Sequence, residues 1–458
     1  MFASLAQSSP ASGGKRLRIA IIGAGAAGLA AAYDLTRAGQ HVTIFEASAE
    51  VGGLASGFKA PHWDWSLEKF YHHWFTSDSS ILGLIEECGW SESVLFPRPI
   101  TAVYHAGKFY ALDSALAVLR FPGIPFIDRL RMGMVIAFLR LTPRWQPLEK
   151  VTADEWMLKR AGSRAYEALW RPLLVGKFGG EYYREVNMAW LWARLHARSQ
   201  RLGTFEGGFQ KFLDSLADKV RSQGAEIRLS TPVKGISRHP VTGPKSAAGA
   251  LEGGLSLETP QGPEDVDACI VTTSPALLAR LAPELPQEYL GRLLTLKSMG
   301  AVVMVIALDR RLTPGIYWHN LPKEAGFPFL ALVEHTNFIS PEHYGGDHLV
   351  YCGDYLVPDH EYFRLSKEEL LERFLPALRR FNPDFDPGWV RATWLFKTPY
   401  AQPVPLLNHS RNVPDLKTPI PGLWLASMSQ VYPWDRGTNF AVQIGRRAAQ
   451  RVLADRRT

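Results

Sequence analysis

The pattern of apolar and polar positions near the amino terminus predicts a strand, a tight turn, a helix and a second strand. Residues 19–22 form a short β-branched run, which is typical of a buried parallel strand, and a glycine-rich turn follows it at once. Residues 29–38 have the pattern of a helix that Gly39 ends, and residues 41–45 form the second strand. This order of elements predicts an α/β fold built around a parallel sheet.

The glycines of the turn, Gly23, Gly25 and Gly28, have the spacing of a dinucleotide-binding loop. Gly23 permits the tight turn, Gly25 lets the backbone approach a pyrophosphate, and Gly28 lets the helix pack closely on the strand. The pyrophosphate then lies at the positive end of the helix dipole. Glu46 ends the second strand, where its carboxylate can accept hydrogen bonds from ribose hydroxyls and disfavours the 2′-phosphate of NADP.

A second glycine pair, Gly52-Gly53, follows Glu46 and lets the main chain pass close to an extended dinucleotide, which favours FAD over NAD. With this pair the sequence resembles the flavin-containing amine oxidoreductases. That group includes monoamine oxidases, protoporphyrinogen oxidases, phytoene desaturases and, more distantly, UDP-galactopyranose mutase. The resemblance implies that Ala27 and Ala47 lie beside the cofactor, as does Leu54, where the family often has an arginine.

Two later segments extend the resemblance. After Gly207-Gly208, an amphipathic helix to Gln223 and a strand lead to Val233, whose family counterpart contacts adenine through its backbone. At the carboxyl end, a strand at residues 422–427 precedes a helix that runs to about residue 453. The resemblance implies that this helix points at the flavin, through the residues Gly437, Thr438 and Asn439. It also implies that Ser427 stands where the family often has an acid that holds the ribityl chain.

These segments predict a discontinuous Rossmann-type FAD-binding domain at residues 15–75, 206–285 and 400–458. Residues 76–205 and 286–399 are expected to form an α+β substrate domain, and residues 1–14 a disordered tail.

The substrate side offers several candidates for chemistry. The resemblance places His72 and His73 near the flavin, and it places Tyr432 and Trp434 as an aromatic wall at the reactive face. An arginine stripe with helical spacing, at residues 194, 198 and 201, either clamps a carboxylate or diphosphate or is simply solvated. Amine oxidases often have a lysine near the flavin on the strand at residues 301–308, where this chain has Met304. This difference favours a desaturase or protoporphyrinogen oxidase activity over an amine oxidase.

Composition narrows the partners. The chain has 458 residues with a net charge of +7, and its basic residues are scattered, so we expect no nucleic-acid partner. Three cysteines without a CxxC pair predict no metal site and fit a reducing cytoplasm. No cysteine lies in residues 400–458, so FAD is expected to be bound non-covalently. Residues 119–126 and 131–140 mix apolar and basic side chains, which fits either peripheral membrane contact or an inward-facing helix pair.

The leading functional hypothesis is therefore FAD-dependent removal of a hydride from a largely apolar small molecule, with the protein orienting the substrate. The alternatives are a non-redox sugar-nucleotide mutase, an amine oxidase, and a binding protein in which FAD is only structural.

Overall fold

The computed structural model describes residues 16–238 and 254–455, so the predicted tail at residues 1–14 lies outside the described residues. The described strands are, in chain order, β1 Arg18–Ile22, β2 His41–Phe45, β3 Gly57–Phe58, β4 Leu67–Glu68, β5 Trp74–Phe75, β6 Val94–Leu95, β7 Ile100–His105, β8 Lys108–Ala111, β9 Leu202–Phe205, β10 Glu226–Arg228, β11 Gly235–Arg238, β12 Leu255–Thr259, β13 Gly262–Val266, β14 Ala268–Val271, β15 Ser298–Leu308, β16 Ile316–Asn320, β17 Ala331–Glu334, β18 His348–Leu356, β19 Val390–Pro403 and β20 Leu423–Leu425. The described α-helices are α1 Ala26–Arg37, α2 Ser79–Glu87, α3 Ala115–Arg120, α4 Phe126–Leu141, α5 Ala153–Ala161, α6 Ser163–Ala165, α7 Arg171–Tyr182, α8 Met188–Ala197, α9 Phe209–Ser222, α10 Pro275–Leu281, α11 Gln287–Thr295, α12 Lys367–Leu378 and α13 Thr438–Asp455.

A parallel sheet with the strand order β10-β2-β1-β14-β20 contains the first strand of the sequence motif at its centre. One face of this sheet packs against α1, α9 and α13, and the other packs against α10 and the antiparallel sheet β11-β12-β13. Because both faces are covered, the strands need apolar side chains on both sides, which explains the uninterrupted apolar run in β1.

Helices α1 and α13 approach each other at backbone distance. A Cβ atom on Gly445 of α13 would lie 2.1 Å from the carbonyl oxygen of Ala27 in α1. A Cβ atom on Gly28 would lie 2.0 Å from the carbonyl oxygen of Gly23, so α1 also packs directly on the turn that precedes it. The two glycines therefore fix α1 against both of its neighbours.

A seven-stranded mixed sheet, in the order β19-β15-β18-β17-β16-β7-β8, forms the second large element. Its longest strand, β19, runs across the predicted domain boundary at residue 400. Side chains alternate between the two faces of β15: Ala301 pairs with Tyr355 of β18 on one face, while Met304 lies in the core beneath α12 on the other. A lysine at residue 304 would therefore point into the core beneath α12, away from the face that carries Tyr355. The alignment that placed the lysine position of the amine oxidases at Met304 is wrong.

The arginine stripe is also corrected by the structure. Helix α8 ends at Ala197, and Arg198 adopts extended backbone angles, so the three arginines do not share one helix face. The chain must leave the helix here in order to enter β9 at Leu202, and the guanidinium of Arg201 donates a hydrogen bond to the carbonyl of Phe96 on the way. No glycine or proline marks this helix end in the sequence, which is why the pattern extended the helix too far.

The backbone contact between α1 and α13 predicts that Gly445→Ala destabilises the protein. The added methyl group must displace the Ala27 carbonyl, and overpacking of this kind costs about 1–3 kcal/mol in the free energy of unfolding. Urea denaturation of the FAD-loaded protein measures the loss.

The matched control is Gly133→Ala in the exposed part of α4, where the added methyl group contacts nothing within 4 Å of the described atoms. There we expect a gain of up to about 1 kcal/mol from helix propensity. Equal stability of the two variants would contradict the proposed packing constraint.

Candidate cofactor and substrate site

The turn after β1 excludes a side chain at Gly23 for two reasons. Its φ angle is +105°, and a Cβ atom would lie 2.6 Å from the hydroxyl of Thr272. The Gly23 N–H donates to the carbonyl of Phe45 at 2.9 Å, which ties the turn to the end of β2. The turn is thus held rigidly at the carboxyl edge of the parallel sheet, where ligands of open α/β sheets bind.

The space beside Gly25 tests whether a dinucleotide fits the turn. Gly25 pairs with Gly52 in a parallel bridge, and the Gly52 N–H donates to the carbonyl of Ala24 at 2.9 Å. A Cβ atom on Gly25 would meet nothing among the described atoms closer than 3.8 Å, so the protein itself does not require a glycine there. The unfilled space lies at the amino end of α1, whose first N–H groups lack partners within the helix. This is the arrangement that a pyrophosphate requires.

Glu46 lies half-buried at the end of β2, and its carboxylate accepts hydrogen bonds from the N–H groups of Ala24 at 2.7 Å and Ser48 at 2.9 Å. Each carboxylate oxygen keeps a second lone pair that can accept from a ribose hydroxyl. The N–H of Thr231 donates to the Glu46 carbonyl at 2.8 Å, so the segment containing half-buried Val233 lies beside this acid. The structure thus brings these two predicted cofactor residues close together in the fold.

The remaining cofactor candidates of the first segment lie nearby. Ala27 is buried in α1, Ala47 is exposed next to Glu46, and Leu54 is half-buried in a short 3-10 turn. Ser427 follows β20 at the same edge of the sheet. It is fully buried, and its hydroxyl lies 3.0 Å from that of Tyr400.

The side chains at the start of α13 connect this helix to the segment that contains the two histidines. The hydroxyl of Thr438 accepts from the indole N–H of Trp74 at 2.7 Å, and the amide oxygen of Asn439 accepts from the N–H groups of Ser80 and Ile81. A Cβ atom on Gly437 would contact nothing within 4 Å of the described atoms. The backbone N–H groups of the first turn are left to bind a ligand, since no helical carbonyl can accept from them.

His72 and His73 are both neutral at pH 7. Burial lowers the pKa of His72 to about 4, and its Nδ1 atom lies 2.6 Å from the carbonyl oxygen of Phe70. The pKa of His73 falls to about 3, first through burial and then through nearby positive charges, including Arg198, Arg194 and Lys177. Two uncharged imidazoles therefore lie within a region of positive charge.

Asp435 is held by donors from several elements just before α13. Its carboxylate accepts from the Arg194 guanidinium at 3.0 Å and from the side chains of Trp190 and Gln402 at 3.2 Å each. Burial alone would raise the pKa of Asp435, but Arg436, Arg194 and Lys177 outweigh it and lower the pKa to about 2. One of the arginines from the predicted stripe is therefore part of a half-buried ion pair.

The sequence patterns missed Lys177 and Tyr355, which lie in the same region. The Lys177 ammonium lies 4.2 Å from the centre of the Tyr355 ring, and the Arg436 guanidinium donates to the Tyr355 hydroxyl. Burial would raise the pKa of Tyr355, yet Arg436 and Lys177 lower it to about 8. Burial also lowers the pKa of Lys177 to about 8. The available signal was a lone charge within the apolar run of residues 173–178.

Tyr432 and Trp434 lie apart from the two histidines. The Tyr432 hydroxyl donates to Glu149 at 3.1 Å, and the Trp434 ring stacks on Phe440 at 5.8 Å between ring centres. Among the described residues, neither ring contacts His72 or His73. These two aromatic residues line a cavity of about 360 Å³ together with the first turns of α13.

Comparison with known proteins identifies relatives over almost the whole chain. The family model for flavin containing amine oxidoreductases matches residues 26–453. The chain is 23% identical to the probable zeta-carotene desaturase of Synechococcus elongatus, over 95% of this chain and 98% of that protein. Among solved structures, it is similar to a protein from Exiguobacterium sp. 255-15 provisionally assigned as a protoporphyrinogen oxidase, with a TM-score of 0.74, 19% identity and coverage of 97% of this chain and 100% of that one. It is also similar to reduced UDP-galactopyranose mutase, with a TM-score of 0.71, 16% identity and 96% coverage of both chains.

The position of Glu46 predicts that Glu46→Arg abolishes FAD retention. The substitution removes the acceptor for the ribose hydroxyls, and charged hydrogen bonds of this kind contribute about 1.5–3 kcal/mol each. We expect FAD affinity to fall by about a hundredfold or more, measured as the ratio of flavin to protein after gel filtration. The exposed Glu92→Arg is the control for charge reversal. Retention at the parent level would show that Glu46 does not bind the ribose.

The start of α13 predicts an effect of Asn439→Pro on the flavin redox potential. Proline removes one backbone N–H that would stabilise the negative charge of reduced flavin. Because Asn439 also accepts from Ser80 and Ile81, the control is Asn439→Ala, which loses that contact but keeps the N–H. We expect the proline variant to have the lower two-electron potential, by about 30 mV, which corresponds to ~1.4 kcal/mol. Identical potentials would mean that the N–H of residue 439 does not face the flavin.

Proposed function

Because this chain belongs to the family of flavin-containing amine oxidoreductases, and is therefore an FAD-dependent oxidoreductase, we propose that it removes a hydride from a largely apolar small molecule. The relatives that cover almost its full length include a probable zeta-carotene desaturase, whose named substrate is a hydrocarbon. The observation that carries the proposal is the aromatic character of the side chains around the neutral histidines. Tyr71 packs edge-on against Trp318 at 4.8 Å and lies against the backbone of Gly353, where a Cβ atom would come within 2.8 Å of its ring.

Bound FAD supplies the two-electron acceptor for this reaction. In our proposal the protein holds it through the glycine turn, the carboxylate of Glu46, the backbone of Val233, the turn at Ser427 and the amino end of α13. None of the described cysteines is among these proposed cofactor-binding residues: Cys269 and Cys352 are buried within strands, and Cys88 directly follows α2. This placement supports non-covalent binding.

The protein's own residues orient the substrate and exclude water. We assign His72 and His73 to the wall of the reaction site, where as neutral groups they offer ring nitrogens for hydrogen bonding without adding charge. The bond from Trp74 to Thr438 keeps this wall against α13. We assign Tyr432 and Trp434 to the apolar boundary on the other side of residues 435–436, with Trp434 held between Trp192 and Phe440.

An amine substrate fits this site poorly. Asp435 already accepts hydrogen bonds from Arg194 and two further side chains, so its carboxylate is not free to pair with a cationic amine. Lys177 and Arg436 add further positive charge that repels an ammonium group. The second candidate is a mutase acting on a sugar nucleotide, because the same positive charge suits a diphosphate.

Anaerobic mixing of the oxidised protein with candidate substrates tests the proposed function. We expect polyenes or porphyrinogens to bleach the flavin absorbance, and primary amines to leave it unchanged. Bleaching by amines alone would contradict the proposal. A UDP-sugar that is isomerised only by the reduced protein would support the mutase, and no reaction with any of these compounds would favour a structural role for FAD.

We also propose that α3 and α4 attach the protein to a membrane surface. The described part of the chain contains no helix long and apolar enough to cross a bilayer. Instead, large apolar side chains are exposed along both helices: Leu116, Leu119, Phe126, Ile127, Leu130, Met134, Phe138 and Leu141. The expectation of an inward-facing pair is therefore wrong for most of these side chains, although Met132 and Leu139 are buried.

The charge of the two helices favours a lipid surface as the partner. Helices α3 and α4 carry four arginines and one aspartate, so cationic groups border the apolar side chains. The stripe at residues 127, 130, 134, 138 and 141 has helical spacing, so these side chains lie on one side of α4. An apolar face with a basic border is typical of helices that lie in the interface of an anionic bilayer.

Sedimentation with vesicles tests the attachment. We expect the protein to sediment with vesicles that contain phosphatidylglycerol. The double variant Ile127→Glu/Met134→Glu should bind the vesicles at least about tenfold more weakly, because two inserted apolar side chains are lost. The control is Leu294→Glu/Leu407→Glu, which changes two exposed leucines elsewhere. Equal binding of both variants, or no binding at low salt, would contradict the proposal.

A further inference from the structure

Positive charge exceeds negative charge around His73. Lys177, Arg194 and Arg198 all lie close enough to lower its pKa, and Arg436 adds a fourth cation next to Tyr355. The carboxylate of this cluster is Asp435, whose bonds to Arg194 and its neighbours compensate one of these charges. A surplus of buried cations is unfavourable unless an anion compensates it.

Lys177 is a buried member of this cluster that has no carboxylate partner among the described residues. It is 7% exposed, and among the described residues its ammonium group contacts the Tyr355 ring but no carboxylate. Burial lowers its pKa to about 8, so it remains largely protonated at pH 7. A buried ammonium group has three donors, and none of them has a hydrogen-bond acceptor in the described part of the chain.

Arg198 lies near Arg194 and His73. It lies beyond the end of α8, where burial and then the charge of Arg194 lower its pKa to about 10. Lys177 in α7 is connected to Arg194 in α8 through Tyr355, Arg436 and Asp435, and Arg198 follows the end of α8, so all three cations lie near His73.

We infer that Lys177, Arg194 and Arg198 form a subsite for an acidic group of the substrate, either a carboxylate or a phosphate. This inference rests on the proposed function and narrows it to an amphipathic substrate. The apolar body would lie along the Tyr71 and Trp318 rings, and the acidic group would accept hydrogen bonds from Lys177 and Arg198. An anion in this position would compensate the charge that Asp435 leaves unpaired.

Equilibrium binding to the oxidised, FAD-loaded protein tests the subsite without turnover. The probes are dodecanoate, dodecanol of the same chain length, and inorganic pyrophosphate, each followed by the perturbation of the flavin absorbance and by calorimetry. We expect dodecanoate to bind more tightly than dodecanol. Lys177→Met should weaken dodecanoate binding by about tenfold to a hundredfold, because a hydrogen bond to a charged group is lost, and should leave dodecanol binding unchanged.

The exposed Lys297→Met is the matched control and should bind all probes as the parent does. Arg198→Met is a second test that does not disturb the ion pair of Asp435. Pyrophosphate binding that depends on Lys177 would assign the subsite to a phosphate, and dodecanoate binding alone would assign it to a carboxylate. Binding of neither anion, or an equal loss for dodecanoate and dodecanol, would overturn the inference. Flavin bleaching is measured separately, so failure of the proposed function is distinguishable from failure of the subsite.

Discussion

The backbone contact between α1 and α13 is the constraint on which the proposed cofactor site depends. Gly28 and Gly445 let α1 approach the turn before it and α13 behind it more closely than any side chain would permit. Because the first turn of each helix begins at the same edge of the parallel sheet, two sets of free N–H groups face the space where the dinucleotide is proposed to bind. One set suits the pyrophosphate in the middle of the cofactor and the other suits the flavin ring at one end, so two parts of one cofactor are matched to two helices that contact each other.

Electrostatics divide the substrate region into a neutral part and a cationic part. His72 and His73 lose their charge because they are buried, and in the case of His73 because cations surround it. Asp435 keeps its charge because those cations stabilise it. A neutral aromatic wall next to a cationic patch suits the proposed substrate, which has an apolar body and an acidic end, better than it suits an amine.

The sequence could predict the parts of the site that depend on local patterns. The glycine turn, Glu46 and the start of α13 each follow a strand or open a helix, and the structure has those elements within a few residues of the predicted bounds. Lys177 and Tyr355 could not be paired in advance, because α7 and β18 meet only through the tertiary fold. Met304 was assigned to the wrong face of its strand because successive side chains along a strand point to opposite faces of the sheet. The arginine stripe was misassigned because α8 ends without a sequence signal.

The long separation in sequence between α1 and α13 has a consequence for biosynthesis. The glycine turn and Glu46 leave the ribosome long before β20 and α13, which complete the same sheet and cover α1. Until then, the apolar surface of α1 that packs on α13 is uncovered, and the amino-terminal half of the nucleotide site lacks its second helix. Since nascent chains elongate at about 5–20 residues per second, this half must remain incomplete for tens of seconds. The complete nucleotide site therefore forms only after α13 has been synthesised.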